Sequence, residues 1–277
     1  MKVLLAGDTH GNTRHVLYLI RRARIMGCDR VFVVGDFGYW EHTLFGIEFM
    51  DTVSDAAREI TVYFLDGNHD KTSLLLEKYD TPEYTDPEGF LLVRPQVRYA
   101  RRGHRWTWDD CRFIALGGAR SVDKKERLER EVRSGRHQSE WFPEEEMSDE
   151  DMKQILQDTS LVDVILAHDK PRGSEPGWNR KDYDFCLPNQ DRLQRAVETL
   201  DPKYFIHGHL HYPYVYQMWH SHHGITRDMH ITTVVGLDCD GNAGKKDRSW
   251  SVFDTDVVNT RERGVGPALY PERYRTT

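Results

Sequence analysis

The stretch FLDGNHDK, residues 64–71, ends an apolar run in more chemistry than a turn needs. Asp66-Gly67 alone would reverse the chain. Asn68, His69 and Asp70 add an amide, an imidazole and a carboxylate, each able to hydrogen-bond or to hold a metal. Upstream, Thr61–Leu65 reads as a buried strand, and it is the third of a series. Lys2–Ala6 and Val31–Val34 are short apolar runs of the same kind. Between them, residues 13–26 place Val16, Leu17, Leu19, Ile20 and Ala23 at helical spacing, closing on Gly27. Residues 44–58 also read as helix. Strand, helix, strand, helix, strand predicts parallel strands joined by right-handed crossovers.

Downstream the pattern changes. Residues 90–118 hold β-rich runs (Phe90–Val93, Val97–Ala100, Arg112–Leu116) and read as an antiparallel meander. Residues 120–160 are highly charged, a lid-like or a solvated excursion, with a helix start at Pro143-Glu144-Glu145-Glu146. Alternation then resumes: strand at Leu161–Ala167, helix at Leu187–Leu200, strand at Tyr204–His207. Tyr212–Met218, Met229–Val235 and Trp250–Phe253 are β-like. With no repeat and no linker, residues 1–277 read as one domain of the α/β class, two β-sheets flanked by helices.

Composition narrows the function. Lys and Arg number 38 against 45 Asp and Glu, a formal net charge of −7, which does not favour a protein built to coat nucleic acid. Four widely spaced cysteines (Cys28, Cys111, Cys186, Cys239) form no CxxC pair, so neither a disulfide scaffold nor a thiolate zinc site is expected. The apolar N-terminal run is too short for a signal peptide. No stretch approaches the ~20 apolar residues of a membrane span. A cytoplasmic protein without membrane contact is expected.

Every strand of the alternating parts ends in metal-capable side chains. These are Asp8-Thr9-His10, Gly35-Asp36, Gly67-Asn68-His69-Asp70, His168 and Gly208-His209-Leu210-His211. Ligands of open α/β sheets bind at the carboxyl ends of the strands, so five distant segments deliver polar groups to one edge. Singly each is an ordinary turn or a hydrogen-bonded histidine. Their shared position is what carries the reading. Carboxylate, imidazole and amide donors without thiolate suit Mn²⁺, Fe or Zn²⁺. Two such cations can clamp a phosphate ester and lower the pKa of a bound water.

In order and spacing, these motifs resemble those of the calcineurin-like metallophosphoesterases, over residues 2 to about 215. The resemblance implies a four-layer αββα sandwich of two mixed sheets flanked by helices. It implies two divalent metal ions, with Mn²⁺ preferred over Fe or Zn²⁺. Asp8, His10 and His211 would hold one, Asn68, His168 and His209 the other, and Asp36 would bridge them. A metal-bridging hydroxide would attack phosphorus in line. His69 would be the catalytic residue, as general acid or as a stabiliser of charge on the phosphate or leaving group. One departure stands out. The phosphoprotein phosphatases of the family carry an aspartate where this chain has Tyr39, and an arginine where it has Asp66. What orients His69 is therefore open, with Glu41 or Asp70 as candidates. The segment Asp8-Thr9-His10-Gly11-Asn12 is more similar to small bacterial and phage members acting on phosphodiesters or nucleotides.

Three further residues carry two readings each. Asn12 could contact phosphate or cap the first helix. Asp70 could bond His69 or start the next helix. Arg120, in a Gly117-Gly118-Ala119-Arg120 segment, could reach phosphate or form a surface ion pair. His220, His222, His223 and His230 lie in a polar hairpin that does not read as a third metal site. The expected function is hydrolysis of a small phosphodiester or nucleotide. The rivals are a nuclease using Arg94, Arg98, Arg101, Arg102 and Arg105 as a basic strip, a protein phosphatase, and a non-catalytic metal-binding module. Oligomeric state and native metals are not legible.

Overall fold

The computed structural model describes residues 1–135, 140–174, 186–222, 225–240, 248–260 and 269–270. Side chains are described for these except for residues 222–228, 259–260 and 269–270. His223 lies outside the described residues, and so does the side chain of His222.

The first sheet collects the N-terminal strands β1 (Lys2–Ala6), β2 (Arg30–Val34) and β3 (Thr61–Leu65), all parallel. To these it adds β4 (Leu91–Arg94), β5 (Val97–Tyr99), β12 (Trp250–Asp254) and β13 (Leu269–Tyr270), in the order β13-β12-β1-β2-β3-β5-β4. The second sheet has β6 (Arg105–Trp108), β7 (Cys111–Leu116), β8 (Val164–Ala167), β9 (Tyr204–His207), β10 (Tyr214–His222) and β11 (Ile225–Gly236), in the order β10-β11-β9-β8-β7-β6. Strands β7, β8, β9 and β11 are mutually parallel, and the hairpin partners β6 and β10 close the edges.

The pleat sorts side chains into three cores. Val3, Leu5, Phe32, Val34 and Tyr63 point between the sheets, against Trp106, Phe113, Leu166 and Ile206. Their neighbours Leu4, Ala6, Val31, Val33 and Phe64 face the other way. There they meet helices α1 (Thr13–Met26) and α2 (Leu44–Ala57) through Val16, Leu19, Phe49 and Met50. On the far side, Ile114, Ile165, Phe205 and Val234 meet helix α6 (Leu187–Leu200) through Leu193, Ala196 and Val197. The molecule is thus an αββα sandwich. The parallel strands β1, β2, β3, β8 and β9 are buried on two faces, which is why their sequences are runs of apolar residues rather than alternations.

Residues 90–118 do not form one meander. The first hairpin, β4–β5, extends the first sheet, with β5 parallel to β3. The second, β6–β7, joins the other sheet, with β7 parallel to β8. A chain stepping between stacked sheets shows the same β-rich sequence as a meander, because both are strands separated by turns. Within the charged stretch, helix α4 (Lys124–Ser134) forms. The expected helix at Pro143 instead begins at Asp149, as the short α5 (Asp149–Ile155). The Ser148 hydroxyl accepts from the Asp151 N–H and the Ser148 N–H donates to Asp151 Oδ2, a capping box stronger than the proline signal.

Each arginine of the expected basic strip is ion-paired. Arg94 meets Glu41 and Asp51, Arg98 meets Asp86, Arg101 meets Asp80, Arg102 meets Asp66 and Arg105 meets Asp158. Among the described residues, no helix is long and apolar enough to cross a membrane.

Candidate active site

The parallel strands of both sheets end at one edge of the sandwich, and backbone bonds stitch these ends together. His10 N donates to Asp36 O (2.7 Å), Gly208 N to His168 O (3.1 Å) and Asp240 N to Asp8 O (2.9 Å). Gly67 and Gly208 allow the close approach. A Cβ on Gly67 would lie 2.1 Å from Asp36 Oδ1, and one on Gly208 would lie 2.1 Å from Asp8 Oδ1. His10, Asp36, His209 and His211 all adopt left-handed φ values of 45–64°, which non-glycine residues rarely take. Such strain, held at four neighbouring polar residues, is characteristic of functional sites.

All eight strand-end side chains meet here. Asp8 Oδ2 lies 2.8 Å from His211 Nε2, and Asp36 Oδ2 lies 3.5 Å from His10 Nε2. On its other side, Asp36 Oδ1 lies 3.4 Å from His168 Nε2, which is also 3.1 Å from Asn68 Oδ1. The His209 ring packs against His168 at 5.0 Å, and its buried Nε2 has no hydrogen-bond partner. Three sets of donor atoms lie within reach of a single ion: Asp8–His10–His211, His10–Asp36–His69 and Asp8–Asp36–His168.

The electrostatics describe a site waiting for positive charge. Burial alone would raise the Asp8 pKa, but the His211 hydrogen bond and the charge of His168 hold it at about 2. Burial would likewise raise Asp36, yet the surrounding imidazoles keep its pKa well below the usual carboxylate range. The same pairing acts on the histidines. Against burial, which favours the neutral ring, Asp240 and Asp36 raise His10 to about 11. Asp8 raises His211 to about 11, and Asp36 raises His168 to about 9. Two buried carboxylates are thus neutralised by protons on their neighbours, the position cations would take. With the unpaired His209 Nε2 and the all-oxygen-and-nitrogen donor set, these residues fit divalent metals.

His69 stands slightly apart. Its backbone N–H donates to Asp36 Oδ1 (2.8 Å), and its carbonyl accepts from Trp40 Nε1 (2.6 Å). Its ring Nε2 lies 3.8 Å from Asp36 Oδ2 and contacts the Arg127 guanidinium. Burial, with Arg127 and His10 adding to it, pushes its pKa down to about 4, so the ring is neutral at pH 7.

Glu41 does not orient His69. It is consumed by Tyr39, Lys78, Tyr79 and Arg94. Asp70 neither bonds the His69 ring nor caps the following helix, whose N-cap is Lys71. It accepts instead from the backbone N–H groups of Phe37, Gly38, Tyr39 and Gly67, tying the Asp36 loop to the Asn68 loop. Asn12 caps α1 through His15 N and donates to Asp240 Oδ2 at 2.7 Å. Arg120 pairs with Glu146 at 3.4 Å. His220 bonds Thr232, and His230 bonds Asp201.

Three supports escaped the sequence reading. Asp240 Oδ1 holds His10 Nδ1 at 3.0 Å. Ser121, itself bonded to Glu145, receives the Asn68 amide at 3.0 Å. Arg127 reaches His69 from α4. Asp240 was discoverable by the same strand-end rule, since it follows β11, parallel to β9. Arg127 left no signal, because it lies inside a helix, α4, of a highly charged stretch and not at a strand end.

The fold is similar to that of TT1561 of Thermus thermophilus, at 15% identity and a TM-score of 0.52, covering 96% of this chain and 98% of that one. It is also similar to a dimetal phosphatase from Danio rerio, at 14% identity and a TM-score of 0.52, covering 91% of both chains. No curated protein sequence matches. The sequence pattern of the calcineurin-like phosphoesterases matches residues 1–213, which contain every one of the eight strand-end residues above. With that match, the chain belongs to the calcineurin-like phosphoesterases, metal-dependent hydrolases of phosphate esters.

Proposed function

We propose that this chain is a dinuclear phosphoesterase acting on a small phosphodiester or nucleotide. The observation that carries this is the meeting of Asp8, His10, Asp36, Asn68, His168, His209 and His211 at one sheet edge, with a buried His209 nitrogen left unpaired. Asp8, His10 and His211 would hold one ion, and Asn68, His168 and His209 the other. Asp36, whose two oxygens face His10 on one side and His168 on the other, would be shared. When bound, the ions supply Lewis acidity to the phosphoryl oxygens and depress the pKa of water. Mn²⁺ is the preferred ion.

The chain's own residues do the rest. Asp240 fixes the His10 ring through Nδ1, turning Nε2 inward. Ser121 takes the Asn68 amide N–H, which leaves Oδ1 facing the site. His69, with its backbone anchored to Asp36 and Trp40 and its side chain 34% exposed, is the residue that assists the leaving oxygen. The ion-paired arginines of β4 to β6 offer no track for a polynucleotide backbone, which favours a small substrate over a nucleic acid. The absence of a catalytic-histidine aspartate at Tyr39 counts against a protein phosphatase.

The test is hydrolysis of bis(p-nitrophenyl) phosphate by metal-free protein, with and without added Mn²⁺. Turnover should appear with Mn²⁺, vanish with chelator and be abolished by Asp36→Asn. Metal-independent turnover, or an Asp36→Asn variant as active as the parent, contradicts the proposal.

A further inference from the structure

We propose that Arg127 is a catalytic residue that grips the phosphoryl group, a fixed positive charge carried into the site by α4. This rests on the phosphoesterase reading above, and it names a residue from outside the strand-end motifs.

Arg127 belongs to the charged stretch 120–160, where surface ion pairs are the ordinary expectation. Its side chain is instead only 3% exposed. The guanidinium is held from two sides. Nε donates to Asp123 Oδ1 at 2.7 Å, and Nη1 donates to the Glu140 carbonyl at 3.2 Å. The third corner, Nη2, contacts His69 Nε2. The fork is therefore clamped at its back and directed with its front at the residue beside Asp36.

Two features make this more than a strut for α4. First, Asp123 is 41% exposed and engages the Nε side, away from the contact with His69, so the inward-facing corner meets an imidazole rather than a carboxylate. Asp123 supplies an anion to the Nε side only, and an imidazole nitrogen is a poor substitute for one at Nη2. A phosphoryl oxygen arriving beside His69 completes that pairing. Second, among the described residues, the other arginines near the site meet carboxylates and not His69. Arg102 lies on buried Asp66, and Arg120 and Arg192 lie on Glu146. Among the described residues, Arg127 is the arginine that touches His69.

The chemistry suits the position. Planar guanidinium matches the geometry of phosphate oxygens, and a fork fixed before substrate arrives loses little freedom on binding. Negative charge on the phosphoryl oxygens is then met from the α4 side as well as from the strand ends.

The test compares wild type, Arg127→Ala and Arg127→Lys, each loaded with Mn²⁺. Orthovanadate binding is measured by calorimetry and by inhibition. Loss of one charge-assisted contact should weaken vanadate binding by ~10–100-fold in Arg127→Ala. Arg127→Lys, which keeps the charge and loses the fork, should fall between the two. Mn²⁺ binding should be unchanged in both. Vanadate binding that survives Arg127→Ala, with only the melting temperature lowered, makes Arg127 a strut and overturns the proposal. Loss of Mn²⁺ in both variants overturns it too, by placing the effect on the metal ligands. Wild-type protein that binds Mn²⁺ and hydrolyses no phosphate ester sinks the preceding reading instead, while vanadate titration still decides the role of Arg127.

Discussion

Asp240 shows how a residue that holds nothing itself can set the site. It receives His10 Nδ1 on one oxygen and the Asn12 amide on the other, so it fixes both a strand-end histidine and the cap of α1. A carboxylate behind a ligating histidine fixes its tautomer and raises its basicity, and losing one typically costs ~10–100-fold in metal affinity. Asp240→Asn should therefore weaken Mn²⁺ binding by ~10–100-fold in calorimetric titration. Unchanged affinity would show that backbone geometry alone positions His10. At this scale the sequence was most legible where residue type and strand position coincide, as at Asp8, Asp36 and His168. It was least legible at Asp70, whose four backbone partners lie in two loops brought together only by folding.

Among the elements, the loop after β3 depends on a buried ion pair. Asp66 is fully buried, accepts from Arg102 at 2.9 and 2.6 Å and from the Tyr99 hydroxyl at 2.7 Å. Arg102 also donates to the Glu144 carbonyl, so one guanidinium joins β3, the β5–β6 turn and the charged stretch. The residue that departs from the phosphoprotein phosphatase pattern is thus a structural carboxylate. Removing one partner of a buried pair strands the other, so Asp66→Ala should destabilise the fold by ~3–5 kcal/mol in chemical denaturation. A loss below ~1 kcal/mol would mean the pair behaves like an exposed one. The helices and parallel strands were readable because their apolar periodicity reflects burial directly: α6 has the bounds read for it, and β1, β3 and β9 do too. The assignment of β4–β5 and β6–β7 to different sheets was not readable. Strand pairing is decided by partners far away in sequence, and nothing local distinguishes a hairpin edge from a sheet crossing.

Across the whole molecule, folding itself concentrates charge. Two sheets, packed through the Phe32, Trp106 and Phe113 core, bring two buried carboxylates and five histidines to one edge. Without metal, the protons on His10, His168 and His211 balance Asp8, Asp36 and Asp240. Those protons are held up to about 11, 9 and 11, so at pH 7 a metal held by these three rings would have to displace them. Raising the pH lowers the cost of that displacement, so affinity should climb between pH 6 and pH 9, with proton release on binding. The direct measurement is calorimetric titration of metal-free protein with Mn²⁺ at pH 7, in two buffers of different ionisation enthalpy. Two ions per chain with protons released to the buffer, and loss of binding in Asp36→Asn, are the expected result. A single ion, no ion, or binding indifferent to Asp36→Asn would contradict the shared two-metal site.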